Sequence, residues 1–160
     1  MLVITCLPPL LPANFPQMFI GEYKHNLDEK GRLAIPAKFR AILKKGAVVT
    51  KGLDNCLFLY SREQFEKIAQ KFAALPLGQS KARALSRHML AGAMDLEFDN
   101  QGRVTLPEYL RQFSGLSKNV IVAGLYNHLE LWNEAAWKKY KAESEKNSNA
   151  IAEELGELGV

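Results

Sequence analysis

The chain has 160 residues, 48% of them apolar and 24% charged, with a formal net charge of +4. These values fit one compact domain, or two small ones sharing a core, and exclude intrinsic disorder over the chain as a whole. No apolar run reaches the roughly 18 residues of a membrane span, and two cysteines, Cys6 and Cys56, cannot build a disulfide framework, so a reducing, cytoplasmic setting fits.

Residues 1–17 are apolar at first but carry no Lys or Arg, and Pro8, Pro9, Pro12 and Pro16 interrupt them. A signal peptide needs a basic start and an unbroken apolar stretch. The segment therefore reads as a disordered, Pro-rich tail, and Met18, directly before patterned sequence, as the candidate start of translation. A first unit spans 22–68. Its opening alternating segment ends at Asp28, and Asp28 with Gly31 has the spacing of a type I turn. Gly31 is suited to the positive φ that closes a hairpin with a bulge. Arg32 begins the return strand at the hairpin tip. Pro36 stops that strand and starts a short helix, with Phe39, Ile42 and Leu43 facing inward. A second hairpin pairs 47–50 with 57–60.

Ser61 and Gln64 form a capping-box pattern. Phe65, Ile68, Ala69, Phe72 and Leu75 then follow at helical spacing. Pro76 and Gly78 break that helix, and 80–91 resume as another with Leu85 and Met89 apolar. Residues 69–93 thus read as a helical connection. A second unit spans 94–137, with a turn at Asp99 and Gly102, a strand from Arg103, a stop at Pro107 and inward-facing Leu110 and Phe113. Its second hairpin pairs 119–123 with 129–132. Asn133 caps a helix carrying Trp137 and Tyr140. Residues 138–160 are that helix and a tail, which turns acidic from 141, loses its periodicity and is expected to fray.

The units are copies. Residues 27–40 align with 98–111 at an offset of 71, matching Asp, Gly, Arg, Pro and a final Arg, apolar against apolar elsewhere. Residues 52–60 align with 124–132 at an offset of 72, as if one residue were inserted between. One unit of some 45 residues is too small for a sufficient core of its own. The expected fold is therefore α+β: a pseudo-two-fold barrel made by both units together, with connecting and C-terminal helices.

The two turns in register, with both prolines and both second hairpins, resemble the MraZ family; so do Met18-Phe19, residues 87–93 and residues 124–132. The resemblance spans about 18–140. It implies two AbrB-like swapped-hairpin units, a ring-like homo-oligomer and nucleoid-associated binding to promoter DNA. It further implies regulation, as a repressor, at direct repeats upstream of the protein's own operon for division and cell-wall synthesis. The family's DNA surface includes the arginine of the turn, here Arg32 and Arg103.

Charge supports the first unit as the DNA side. Residues 24–51 hold eight bases against two acids, a net +6, whereas 95–137 net −3. Guanidinium can bond guanine O6 and N7 together or clamp a phosphate. Arg32 is then the leading contact, Lys24, Lys30, Lys38 and Arg40 are phosphate contacts that position without specifying, and Arg103 is a weaker candidate. The structural alternative is that Arg32 pairs with Asp28 across its own turn and only fixes the hairpin. Asp28, Gly31, Asp99 and Gly102 read as turn formers. His25, His88 and His128 lie far apart with no cysteine at metal-ligand spacing, and no nucleophile–base pair is present, so no catalytic residue, cofactor, metal or small-molecule substrate is expected. Cys56 reads as buried and inert, and Trp132 and Trp137 as core or subunit contacts. The competing reading is an oligomeric protein-interaction module with a non-specific basic surface, which salt dependence would separate from DNA recognition.

Overall fold

The computed structural model describes residues 18–159, so the expected tail and start-site error over 1–17 lie outside the described residues. In chain order the first half holds β1 (Phe19–Asn26), β2 (Arg32–Ala34), α1 (Ala37–Arg40), β3 (Ala47–Lys51), β4 (Leu57–Ser61), α2 (Arg62–Ala73) and α3 (Ser80–Ser86), the last running into a π-helical turn (Arg87–Ala91). The second half repeats the order: β5 (Met94–Leu96), β6 (Arg103–Thr105), α4 (Glu108–Ser114), β7 (Asn119–Tyr126), β8 (Leu129–Asn133), α5 (Glu134–Lys146) and α6 (Ser148–Glu154), with a 3-10 turn at Gly156–Leu158. Helix pair α2–α3 thus has a counterpart in α5–α6.

Among the described residues all strand pairs are antiparallel, and the two halves exchange strands. A six-stranded sheet has the order β1-β7-β8-β4-β3-β5, and a separate ribbon pairs β2 with β6. The edge strand β1 of the first half lies on β7 of the second, and β5 of the second lies on β3 of the first. The registers obey a dyad: His25 opposite Val120 repeats as Leu96 opposite Ala47, and Lys24 opposite Ile121 as Asp95 opposite Val48. In the expected barrel the ladder would close; here β1 and β5 end the sheet, and each runs through an Asp turn into the ribbon instead. Leu27 bridges Leu33 on one side, and Asp99 N–H donates to the Arg103 carbonyl on the other.

The dyad register corrects the sequence alignment. Pairing of β3 with β4 and of β7 with β8 makes Ala47 equivalent to Val120, a step of 73, while Leu57 remains equivalent to Leu129, a step of 72. Two residues are therefore added before β7, where α4 is longer than α1, and one is lost in the hairpin turn that follows. Matching Gly52 to Gly124 had hidden both changes under a single shift.

Alternation puts one face of every strand into a common core. Leu33, Ile35, Phe39, Leu57 and Leu59 from the first half interleave with Val104, Leu106, Leu110, Leu129 and Leu131 from the second, all essentially free of solvent. Each such side chain is worth about 1.5–3 kcal/mol on burial, and the shared cluster makes folding of the halves interdependent. On the other face of the sheet, Cys56, Ile121 and Trp132 form a smaller cluster against Phe58 and Trp137. Burial pushes the Cys56 thiol far above its usual range, so it is unreactive. The helix caps are as expected: Ser61 Oγ accepts the Gln64 N–H at 3.2 Å and Asn133 Oδ1 the Ala136 N–H at 3.1 Å. The tail differs from expectation. It stays helical through Lys146 and again over Ser148–Glu154, because its Ala, Glu and Lys content favours helix without burial, and Asn147 and Ser148 side chains bond the last carbonyls of α5.

Candidate nucleic-acid interface

The two Asp turns are built alike. Asp28 Oδ1 accepts the N–H of Lys30 at 3.0 Å and of Arg32 at 2.8 Å, while Oδ2 accepts Arg32 Nε at 2.6 Å. Asp99 does the same for Gln101, Arg103 and Arg103 Nε at 2.9, 2.9 and 2.8 Å. The turns close with Gly31 N–H on the Asp28 carbonyl and Gly102 N–H on the Asp99 carbonyl, each 3.0 Å. Gly31 and Gly102 have φ of +76° and +74°, where a Cβ is strained. The N–H of the following arginine, then its side chain, holds each aspartate carboxyl below the usual carboxylate range.

Arg32 therefore does pair with Asp28, but what the pair fixes is a turn: beyond the single Leu27–Leu33 bridge the expected first hairpin does not form, because β1 pairs with β7 and β2 with β6. The pairing with Asp28 does not consume Arg32. Only Nε is engaged, and among the described residues no hydrogen bond takes either terminal nitrogen of Arg32 or Arg103. Both side chains remain partly open to solvent, 33% and 26%.

The strand exchange then does what the sequence does not show. In the ribbon, Arg32 lies opposite Thr105, Leu33 opposite Val104, and Ala34 opposite Arg103. Leu33 and Val104 point into the core, so Arg32, Ala34, Arg103 and Thr105 share the outer face. Arg32 and Arg103 are diagonal neighbours on it, about 7–8 Å apart at Cα. The surface belongs to neither half, so counting charge half by half misjudges it.

Arg40 and Arg111, equivalent positions, support this ribbon. Arg40 Nε donates to the Ile35 carbonyl at 2.9 Å, and Arg111 Nε to the Leu106 carbonyl at 3.1 Å. Each guanidinium lies against the turn glycine of the other half: a Cβ on Gly31 would come within 2.9 Å of Arg111, and one on Gly102 would strike Arg40. Arg111 was not singled out as a site residue, although its match to Arg40 in the repeat was the available signal. The other predicted contacts are dispersed. Lys30 is exposed beside the first turn. Lys24 pairs with Glu134 at 3.1 Å on the far edge strand, and Lys38 stands over the Tyr23 and Phe39 rings at 4.8 and 5.0 Å. Burial, and then the nearby Arg40, hold the His25 imidazole below its usual range.

A family described as "MraZ protein, putative antitoxin-like" matches residues 18–88 and again 89–157, so each half of the element order is one match. A protein of Natranaerobius thermophilus named "Transcriptional regulator MraZ" is 43% identical over 143 residues, covering 89% of this chain and all of its own length. A protein of the same name from Thermoanaerobacter pseudethanolicus is 44% identical over the same span, and one from Roseiflexus castenholzii 41% over 141 residues, 88% of this chain and 99% of its own.

Proposed function

The chain belongs to the MraZ family, and we propose that it is a transcriptional regulator that binds double-stranded promoter DNA through the outer face of the β2–β6 ribbon. The observation that carries this reading is the pair Arg32 and Arg103, set diagonally on the outer face of the ribbon, partly open to solvent and each bonded to its aspartate through Nε alone. A two-stranded ribbon is an element the major groove admits, and an arginine fork matches guanine O6 and N7 there. Lys30 adds a phosphate contact beside the first turn. Arg40 and Arg111 act from beneath, holding the two tips against each other. Lys24 and Lys38 contribute only to the field around the ribbon. Following the resemblance, the DNA is direct repeats upstream of the protein's own division and cell-wall operon, the effect is repression, and the working form is a ring-like homo-oligomer at the nucleoid.

Fluorescence anisotropy of the full chain on the DNA upstream of its own gene tests the site. Losing one bidentate base contact costs about 1–3 kcal/mol, so Arg32→Ala and Arg103→Ala should each weaken binding roughly 10- to 100-fold and relax the difference from scrambled DNA. A loss confined to Arg32→Ala would return the site to the first half alone. The protein-interaction reading keeps one point in its favour: Asp28 and Asp99 neutralise charge at both tips. It predicts no binding to either DNA, whereas equal, weak, salt-sensitive binding to both would leave only a non-specific basic surface.

A further inference from the structure

Helices α3 and α6 hold the same place in the element order but are bound to the molecule very differently. The α2–α3 pair is tied down: Ser86 Oγ donates to the Phe72 carbonyl at 3.2 Å, Arg83 Nη1 to the Leu77 carbonyl at 2.7 Å, and the π-helical turn after α3 buries Met89, whose carbonyl accepts Thr50 Oγ1 at 2.6 Å. Helix α6 is joined to the end of α5 through Asn147 and Ser148 and has no buried residue. It nevertheless carries an apolar stripe. Ile151 lies in α6, Leu155 caps its end and Leu158 closes the 3-10 turn that follows; Leu155 N–H donates to the Ile151 carbonyl at 3.0 Å and Leu158 N–H to the Leu155 carbonyl at 2.9 Å, so the three follow one another turn by turn, and all three are exposed, Leu158 at 74%.

The flanking charge says what covers that stripe. Residues 148–159 hold Glu153, Glu154 and Glu157 and no base, a net −3. Residues 62–87, which include α2 and α3, hold six bases against Glu63 and Glu66, a net +4, and expose Leu77 and Leu85. An acidic C-terminal segment, α6 with the turn after it, that exposes Ile151, Leu155 and Leu158 is complementary to a basic helical hairpin with protruding leucines. We propose that α6 of one copy of this chain docks on the α2–α3 hairpin of a second copy. The contact is heterologous: each copy offers one donor and one acceptor, on different surfaces, so successive copies join head to tail and close into a ring or run on as a filament. The inference rests on the homo-oligomeric reading above and names the surfaces that would make it.

The test is light scattering on the full chain. Leu155→Asp removes the donor and Leu85→Asp the acceptor. Neither residue is buried, and circular dichroism with an unchanged melting curve certifies the fold of each variant. Each alone should run as a monomer where the parent chain is an oligomer. Mixed one to one, they should form a heterodimer of twice the chain mass and nothing larger, because one intact contact remains. A second pair, Glu153→Lys with Glu154→Lys against Lys67→Glu with Lys71→Glu, should dissociate singly and reassociate when mixed. If both leucine variants keep the parent's oligomeric size, α6 is not the donor and this inference fails while the oligomer stands. If the parent itself is monomeric at micromolar concentration, the oligomeric reading fails and takes the inference with it.

Discussion

A single aspartate sets each turn, so the consequences of its charge can be worked out residue by residue. The folded carboxyls of Asp28 and Asp99 sit below the ordinary aspartate range. A depressed folded pKa contributes stability that is complete above the unfolded value, near ~4, and is lost as pH falls through the lower folded value. Urea unfolding followed from pH 6 down to pH 2 should therefore show stability falling below about pH 4, and Asp28→Asn with Asp99→Asn should flatten that fall. An unchanged slope in the double variant would mean that the turns are held by their backbones alone. Gly31 makes a separate demand. With φ at +76° and the Arg111 guanidinium over the position of a Cβ, Gly31→Ala should cost about 1 kcal/mol or more. Because Arg111 must move, the same substitution should weaken DNA binding by disturbing the ribbon from the opposite half. Gly115, also at positive φ but with open space around it, is the control: Gly115→Ala should lose stability and leave DNA binding alone.

At the scale of elements, the two halves place equivalent ion pairs of opposite sign. Edge strand β1 is tied to α5 by Lys24 and Glu134 at 3.1 Å, and edge strand β5 to α2 by Arg62 and Asp95 at 3.2 Å. Lys24 is the dyad equivalent of Asp95, and Arg62 of Glu134. A strand laid in the wrong slot would face Lys24 with Arg62 and Asp95 with Glu134. Exposed pairs stabilise little, but here polarity discriminates between two nearly identical slots. Lys24→Asp with Asp95→Lys should lower the melting temperature, and adding Arg62→Glu with Glu134→Arg should recover it. A double variant as stable as the parent would dispose of the idea. These elements also show what a sequence can and cannot say. Both Asp turns, both second hairpins and the caps Ser61 and Asn133 are local patterns, and each stands where it was expected. Which strand lies beside which is not local. Nothing in 19–26 announces β7 as its neighbour, so the shared ribbon, the diagonal pair of arginines on it and the crossing of Arg40 and Arg111 appear only when the chain is folded. The tail was misread for a related reason: loss of apolar periodicity argues against burial, not against helix.

For the whole molecule, the proposed function asks how a small ribbon would select a DNA site. Its outer face offers two arginines, each already sharing its charge with an aspartate, and a contact set of that size gives modest affinity by itself. Several such ribbons held in one assembly convert later contacts into intramolecular events, with an effective concentration set by how well their spacing matches the DNA. The β2–β6 ribbon is suited to that role. It is anchored on a core shared by both halves, through Leu33 and Val104, so it cannot swing to follow a displaced site. Rigidity then becomes specificity: repeats in helical phase are met together, and repeats out of phase are not. Inserting about 5 base pairs, half a helical turn, between adjacent repeats should reduce affinity sharply while leaving each repeat's sequence intact; inserting a full turn, about 10 base pairs, should restore part of it. The salt dependence should follow the same logic, with a steeper slope on in-phase than on out-of-phase DNA because more phosphates are neutralised at once. Equal affinity and equal slope for both spacings would mean that the ribbons act singly, and that recognition must be sought within one chain.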